Sequence, residues 1–277
     1  MKKTFLAFIL VVALCLPTFV ACGNKVEVGT ETEYAVADIV YTPIDREQGD
    51  GESSFYFVEI SENGLPLSFG VCNGIVHEDE NENCFAPVAT FKKHCDFKYD
   101  ENGVLLAIID HACLGYRYEV DKYDKEGRPK HASAVGQTDP KSASYELEKN
   151  LSYNDSGALS FSYGISGQGE SGGATIGKYG RITIREDIAC AAVYDEDNRT
   201  LLSAELNGNK WSYTYNPQGY CETALCKNAD GEFEYTFIYD ADNKVTGYSK
   251  ETQDGKKTEY KVTYDSNGKI TEVKEIK

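Results

Sequence analysis

Apolar and polar residues alternate with a period of two along most of the chain from about residue 34 onward. Aromatic and aliphatic side chains occupy every second position, and Ser, Thr, Lys and Glu mostly stand between them. This period places successive side chains on opposite faces of a strand, so it predicts β-strands with one buried face. No stretch shows a helical stripe. The alternation is clearest at Cys95, Phe97 and Tyr99, at Trp211, Tyr213 and Tyr215, at Tyr235, Phe237 and Tyr239, and at Tyr260, Val262 and Tyr264.

A five-residue phrase separates many of these segments: Tyr, then Asp or Asn, two variable residues, and Gly or Asn. The Asp or Asn can accept hydrogen bonds from the backbone ahead of it, and the Gly or Asn tolerates a left-handed φ. The phrase therefore predicts hairpin turns. A divergent earlier unit has Tyr56, Val58 and Ile60 followed by a turn at 61–64. The copies begin at Tyr99, Tyr123, Tyr153, Tyr194, Tyr215, Tyr239 and Tyr264.

Together these signals predict an all-β protein: an antiparallel β-meander of about seven to eight β-hairpin repeats, as a curled sheet or a solenoid-like array. We expect a single repeat domain over residues 34–277, interrupted by insertions at 65–94 and 164–180. The second insertion contains seven glycines and is expected to be a long, mobile loop.

The N-terminus predicts export. Lys2 and Lys3 precede an apolar run over residues 5–16, which is too short to span a bilayer comfortably. Residues 20–22 resemble a bacterial lipobox, so we predict a lipoprotein signal peptide over 1–21, lipidation of Cys22, and a polar tether over 22–33. The protein would then be lipid-anchored in the bacterial cell envelope, at the outer membrane or cell surface. The alternative is ordinary signal cleavage that leaves Cys22 as a plain thiol.

The chain is strongly acidic, with a formal charge of −17 that becomes −19 once the two lysines of the predicted signal peptide are removed. Such a surface repels the phosphates of nucleic acids and anionic lipid headgroups. We therefore expect no nucleic-acid partner, and membrane contact only through the N-terminal lipid.

Seven cysteines remain after Cys22, an odd number that leaves at least one thiol unpaired within the chain. Cys72 and Cys84 flank one polar segment, so they are the possible disulfide. Cys221 and Cys226 lack a second close pair, and the four histidines lack ligand spacing, so we expect no zinc site and no cofactor. Asp79, Asn81 and Asn83 follow the start of a calcium loop, but the Gly and Glu that such a loop needs are replaced, which favours a solvated loop.

One string has the form of a serine-nucleophile motif: Gly-Glu-Ser-Gly-Gly, centred on Ser171. Its base would be His94 or His111. However, the hydrolase motif needs a strand before the serine and a helix after it, and glycines flank Ser171 on both sides. We expect no enzyme, and a secreted hydrolase that uses Ser171 is the alternative.

The repeated phrase, followed by a basic and then an apolar residue, resembles the YD-repeat (Rhs-type) family. The nearest match is residues 262–270, Val-Thr-Tyr-Asp-Ser-Asn-Gly-Lys-Ile, and residues 237–245 come next. The resemblance covers residues 94–277 well and 55–93 loosely. It implies curling sheets of β-hairpins and a secreted or surface setting. Some members of that family are associated with carbohydrate or cell-surface contacts, whereas toxin encapsulation does not carry over to so few copies.

The chain holds twenty tyrosines and one tryptophan. Tyrosines at the alternate strand positions that share the apolar face are expected to fill the core. Any part of that face left uncovered would be a binding surface. Trp211, Tyr213 and Tyr235 are the possible ligand contacts. The sequence thus predicts a binding module for carbohydrate or an envelope protein, with a structural spacer as a further alternative.

Overall fold

The computed structural model describes residues 28–44, 54–75, 83–113, 115–135, 148–154, 157–165, 168–183, 191–206, 208–266 and 268–276. Every regular element within these residues is a β-strand, and every pairing is antiparallel. The predicted all-β antiparallel meander is confirmed. Its strands fall into three sheets, and each sheet is a meander in chain order.

The first sheet has nine strands. Strands β2 to β9 follow one another across it, and the short strand β1 pairs with β5. The strands are β1 Glu31–Thr32, β2 Asp38–Ile44, β3 Ser54–Ile60, β4 Pro66–Ile75, β5 Cys84–Asp100, β6 Leu105–Asp110, β7 Tyr116–Tyr123, β8 Pro129–Ala134 and β9 Glu148–Asn150.

The second sheet has four strands and the third has eight. The second contains β10 Ser152–Tyr153, β11 Leu159–Ile165, β12 Gln168–Ile176 and β13 Ile182–Thr183. The third contains β14 Ala192–Tyr194, β15 Leu201–Leu206, β16 Asn209–Tyr215, β17 Cys221–Asn228, β18 Gly231–Tyr239, β19 Val245–Thr252, β20 Lys257–Tyr264 and β21 Ile270–Ile276.

The turns have the geometry that the repeated phrase predicts. In all seven copies the fifth residue has a φ between 59° and 85°. The N–H of that residue donates to the carbonyl of the Asp or Asn three positions earlier, at 2.9–3.2 Å. The turn of the divergent unit, at Ser61 to Gly64, has the same bonds, and so does a further turn at Gly177 to Gly180. One local hydrogen-bonding pattern therefore ends strands in all three sheets.

The first sheet lies between the other two, because its two faces contribute to different clusters of buried residues. In β2, Ile39 and Tyr41 pack with the third sheet, whereas Val40 packs with the second. In β3, Phe55 and Phe57 face the third sheet, and Val58 and Ile60 face the second. The strands nearest the centre are thus buried on both faces, and the predicted single buried face holds for the outer sheets and for β6 to β8 of the first sheet.

Both predicted insertions contain strands. Residues 66–75 form β4 and the segment from Cys84 forms the first part of β5, so 65–94 is largely central sheet. Their apolar residues do not alternate with polar ones because both faces are covered. The glycine-rich stretch forms β12 rather than a long loop. A Cβ at Gly172 would lie 2.9 Å from the hydroxyl of Tyr163, so glycine lets that ring pack against the strand.

Candidate functional site

The three aromatic residues predicted as ligand contacts are buried. Trp211, Tyr213 and Tyr235 are 1%, 5% and 2% exposed, in the layer between the first and third sheets. The Trp211 ring packs edge-on against Phe85 at 5.8 Å, and the Tyr213 hydroxyl donates to the Phe85 carbonyl at 2.9 Å. The prediction that these residues contact a ligand is wrong, because the first sheet covers the face on which they lie.

The predicted disulfide between Cys72 and Cys84 is also wrong: both are buried free thiols. Cys84 pairs across the strands with Ile75, three residues from Cys72. Three residues of strand span about 10 Å, beyond the Cα separation that a disulfide allows. Burial raises the pKa of both thiols well above its usual range, which keeps them protonated. Cys22, the predicted lipidation site, lies outside the described residues.

The residues of the hydrolase alternative do not come together. Ser171 is exposed on β12 and has no hydrogen bond to a histidine among the described residues. His94 is 2% exposed and stacks on Tyr163 at 4.9 Å, beneath the second sheet. His111 instead lies 2.8 Å from an Asp96 carboxylate oxygen. The serine thus lacks the neighbouring base that nucleophilic catalysis requires.

Most of the acidic run that resembles a calcium loop, including Asp79 and Asn81, lies outside the described residues. Elsewhere in the described ranges, no three His, Cys, Asp or Glu side chains are grouped so that they could hold a metal ion. The same ranges contain no helix long and apolar enough to cross a membrane.

An open cleft of about 710 Å³ lies at the hairpin between β7 and β8, where the chain passes from β9 to β10. We call it the basic cleft because four of its lining residues are Lys or Arg and two are acidic. Its charged residues are Lys122, Lys125, Arg128, Lys130, Asp124 and Glu126, beside His131. Its remaining lining residues are Pro129, Asn150, Leu151, Ser152 and Tyr153.

The turn within this hairpin fixes the acidic side of the cleft. Arg128 Nε lies 2.7 Å from Asp124, and its Nη2 lies 3.2 Å from Glu126. Desolvation opposes ionisation of Asp124, but hydrogen bonds from the Arg128 and Glu126 amides and from the guanidinium outweigh it and lower its pKa to about 2. Arg128 therefore balances one of the two carboxylate charges, and the Lys125 ammonium lies 3.4 Å from Glu126.

The strand register positions the basic side. Lys122 of β7 pairs with His131 of β8, and His131 pairs with Asn150 of β9. The His131 Nδ1 lies 2.6 Å from Asp121, which orients the ring. Lys122 and Lys130 are both exposed, and neither has a carboxylate within ion-pair distance among the described residues. These two ammonium groups are therefore available to an anionic ligand.

A second groove, of about 430 Å³, lies at the seam between β2 and the third sheet. Asp38, Leu202 and Pro217 are among its lining residues, and Leu202 is 43% exposed. Burial raises the pKa of Asp38, and a hydrogen bond from the Ile39 amide partly opposes that shift. The groove combines one carboxylate with apolar walls and offers no exposed cation.

A buried ion pair within the first sheet is hydrogen-bonded to the second sheet, and it was not predicted from the sequence. The Lys149 ammonium lies 2.6 Å from Asp110, and both side chains are almost fully buried. Lys149 also donates to the Ser162 carbonyl at 3.0 Å, and the Gly164 amide donates to Asp110 at 2.9 Å. Because its polar atoms are engaged within the protein, we assign this pair to the architecture and the open basic cleft to the candidate site.

The cleft residues were also missed, although a signal was present. Five basic side chains fall within residues 122–131 of an otherwise acidic chain. What the sequence did not provide was the neighbouring β9–β10 segment that forms the other wall.

Comparisons with known proteins do not assign the chain to a family. No family matches the chain, and no curated protein matches it. A solved structure described as a porin-like protein from Bacteroides uniformis is 9% identical, over 87% of this chain and 94% of that chain, with a TM-score of 0.26. A score this low does not establish a shared fold.

Proposed function

We propose that the chain is a lipid-anchored binding module of the bacterial cell envelope and belongs to the YD-repeat type, with carbohydrate as its first ligand class and an envelope protein as the second. The paired lysines, the apolar run and Cys22 at the N-terminus support export and anchoring. The recurrent Tyr-Asp phrase and its turns support the family assignment.

The observation that carries the binding proposal is the basic cleft. The aromatic residues of the repeat pack in or against the layers between sheets, so they form no aromatic ladder open to solvent on the strands that the structure describes. The basic cleft, in contrast, is concave and open, and it combines cations, an amide, a hydroxyl and a tyrosine ring. Concave sites with a few convergent polar groups are the usual form of ligand sites.

Binding is favoured over the two alternatives. A hydrolase needs a base beside Ser171, and the described residues provide none. A structural spacer has no requirement for a local cluster of cations on a chain of formal charge −17. The spacer nevertheless remains the outcome to which a failed binding test would point.

Two measurements test the proposal. For anchoring, the full-length chain and its Cys22→Ala variant are expressed in a bacterial host and fractionated; we expect the native chain with the membranes and the variant largely in the soluble fraction. Equal membrane association of the two would contradict anchoring.

For binding, residues 23–277 are screened against a glycan panel and against solubilised envelope proteins. Saturable binding to a saccharide, reduced by substitutions in the basic cleft, is the expected result. Absence of saturable binding to every member of both panels would favour the spacer.

A further inference from the structure

The charge of the basic cleft is opposite in sign to that of the chain around it. The protein carries 45 acidic and 28 basic side chains, whereas the cleft is lined by four Lys or Arg and two acids. Arg128 contacts both acids and Lys125 also pairs with Glu126, which leaves Lys122 and Lys130 as the exposed cations of the cleft without ion-pair partners among the described residues. A local reversal of this kind attracts anions to one site while the remaining surface repels them.

The two cations come from neighbouring strands. Lys122 pairs with His131 and Tyr123 pairs with Pro129, so Lys130 is the extra residue of a β-bulge opposite this part of β7. Its backbone lies one strand spacing, about 5 Å, from that of Lys122. A carboxylate or a sulfate is small enough to be approached by both ammonium groups. An ammonium acts as a compact point charge with three donors, which suits either group.

The uncharged lining matches a sugar ring and its hydroxyls. The half-buried Tyr153 ring, which packs against the layer between the first and second sheets, provides apolar surface at the cleft. The exposed Asn150 and Ser152 provide an amide and a hydroxyl. Burial raises the pKa of Tyr153 to about 12, so its hydroxyl remains a neutral donor at physiological pH. Rings that are apolar on the face and polar at the edge are suited to saccharides.

The acids near the cleft argue against an extended polyanion. Asp121 and Glu148 flank His131, at 2.6 and 3.7 Å from its ring nitrogens. A nucleic acid or an anionic membrane would have to place many phosphates against this rim and against a surface of net charge −17. A ligand whose single charges are well separated can contact Lys122 and Lys130 without placing a second charge against these acids.

From these observations we infer that the basic cleft binds an anionic saccharide, one whose sugar units bear carboxylate or sulfate groups, with Lys122 and Lys130 contacting the charge and Tyr153 packing against the ring. This inference rests on the proposed binding function and specifies its ligand class.

The test uses residues 23–277 and matched pairs of saccharides that differ in charge alone. Digalacturonate is compared with its methyl ester, and galactose 6-sulfate with galactose, by titration calorimetry. We expect the charged member of at least one pair to bind about tenfold or more tightly, with affinity that falls as salt is raised. The pair that shows the preference identifies the anionic group.

Variants locate the site. Lys122→Gln combined with Lys130→Gln is expected to weaken that binding by about tenfold or more, because two charge-assisted contacts are lost. Lys261→Gln is the matched control, an exposed lysine on β20 away from the cleft, and is expected to leave the affinity unchanged.

Three results would overturn the inference: equal affinity for both members of each pair, an unchanged affinity in the double variant, or tighter binding to anionic lipid vesicles or single-stranded DNA. Charge-independent binding to a saccharide would leave the proposed function standing. No binding to any saccharide or envelope protein would remove both.

Discussion

At the scale of single residues, one side-chain oxygen holds each turn of the repeat. The Oδ1 atom of the Asp or Asn accepts hydrogen bonds from the amides two and four positions ahead, at 2.8–3.0 Å in the turns of Asp100, Asp124, Asn216 and Asp240. Either Asp or Asn can occupy this position because both side chains present that oxygen. The negative charge of an Asp therefore adds to the stability of the turn only where a cation is near it.

Asp124 has such a cation, and Asp124→Asn isolates its effect. The turn bonds can be kept by the amide, while the ion pair to Arg128 is lost. The folded pKa of Asp124 is lowered from 3.8 to about 2, so its ionised form stabilises the fold above pH 4, and this contribution disappears as the pH falls toward 2. We expect a lower Tm for the variant at pH 6 and a difference that closes by about pH 2.

Thermal unfolding followed by circular dichroism across that range measures the effect. Asp240→Asn is the control, since Asp240 has the same turn bonds but no ion-pair partner among the described residues. A Tm difference for Asp124→Asn that widens toward pH 2 would be opposite in sign to this account.

At the scale of elements, the tyrosine of the phrase connects one hairpin to the one before it. Its hydroxyl donates to the carbonyl of the residue two positions after the preceding turn. Three pairs show the pattern: Tyr99 to Pro66 at 2.8 Å, Tyr123 to Leu105 at 3.0 Å and Tyr239 to Cys221 at 2.6 Å. Successive units are thereby held in register by a bond that lies outside the strand ladder.

Tyr239→Phe tests this connection. Loss of the hydroxyl leaves the Cys221 carbonyl without that donor, and we expect a loss of about 1 kcal/mol in the free energy of unfolding. Tyr264→Phe provides an internal control, because the Tyr264 hydroxyl is buried and has no hydrogen-bond partner among the described residues, and its removal should be neutral or stabilising. Urea denaturation measures both; equal losses in the two variants would mean that the hydroxyl bond contributes nothing.

Individual strands and turns could be predicted from the sequence, whereas the packing of the sheets could not. Turn positions and strand faces were predicted because a side-chain oxygen, a positive φ and a period of two are local properties. The stacking of the sheets was not, since alternation states which residues share a face and not what covers that face. Strand β4, the first part of β5 and the glycine-rich β12 lack clean alternation, and so these segments were predicted to be insertions.

The candidate site was less predictable than the fold for the same reason. Trp211 and Tyr213 were assigned correctly to one strand face. Whether that face is exposed depends on whether a strand about 130 residues earlier in the chain covers it. The cleft depends on where the β7–β8 hairpin meets β9 and β10. Such long-range placement carries no local signature.

At the scale of the whole molecule, three sheets cover each other's apolar faces, and the Asp110–Lys149 pair fastens two of them. Asp110 ends β6 of the first sheet, and Lys149 in β9 also reaches the Ser162 carbonyl of the second sheet. The Lys149 ammonium lies 4.4 Å from the centre of the Tyr118 ring, which adds a favourable contact for the charge.

Lys149→Met is expected to be strongly destabilising, by about 3–5 kcal/mol, because it leaves the Asp110 carboxylate buried without its cation. The double variant Lys149→Met with Asp110→Asn should recover much of that loss, since the amide oxygen can still accept bonds while the charge is gone. Urea denaturation gives the free energies of unfolding.

The control for that prediction is Lys227→Met, which breaks an exposed pair with Glu232 of similar length, 2.7 Å, and should cost less than about 1 kcal/mol. A cost for Lys149→Met no greater than that of Lys227→Met would show that the buried pair does not fasten the sheets.

The central claim is that the aromatic repeat fills the layers between sheets and leaves ligand binding to the basic cleft. The emission of Trp211, the single tryptophan of the chain, tests it most directly. With an indole 1% exposed, we predict a blue-shifted spectrum that iodide does not quench and that does not change when an acidic saccharide binds. A red-shifted spectrum that iodide quenches, or one quenched in proportion to bound saccharide, would place Trp211 at the ligand and contradict the account.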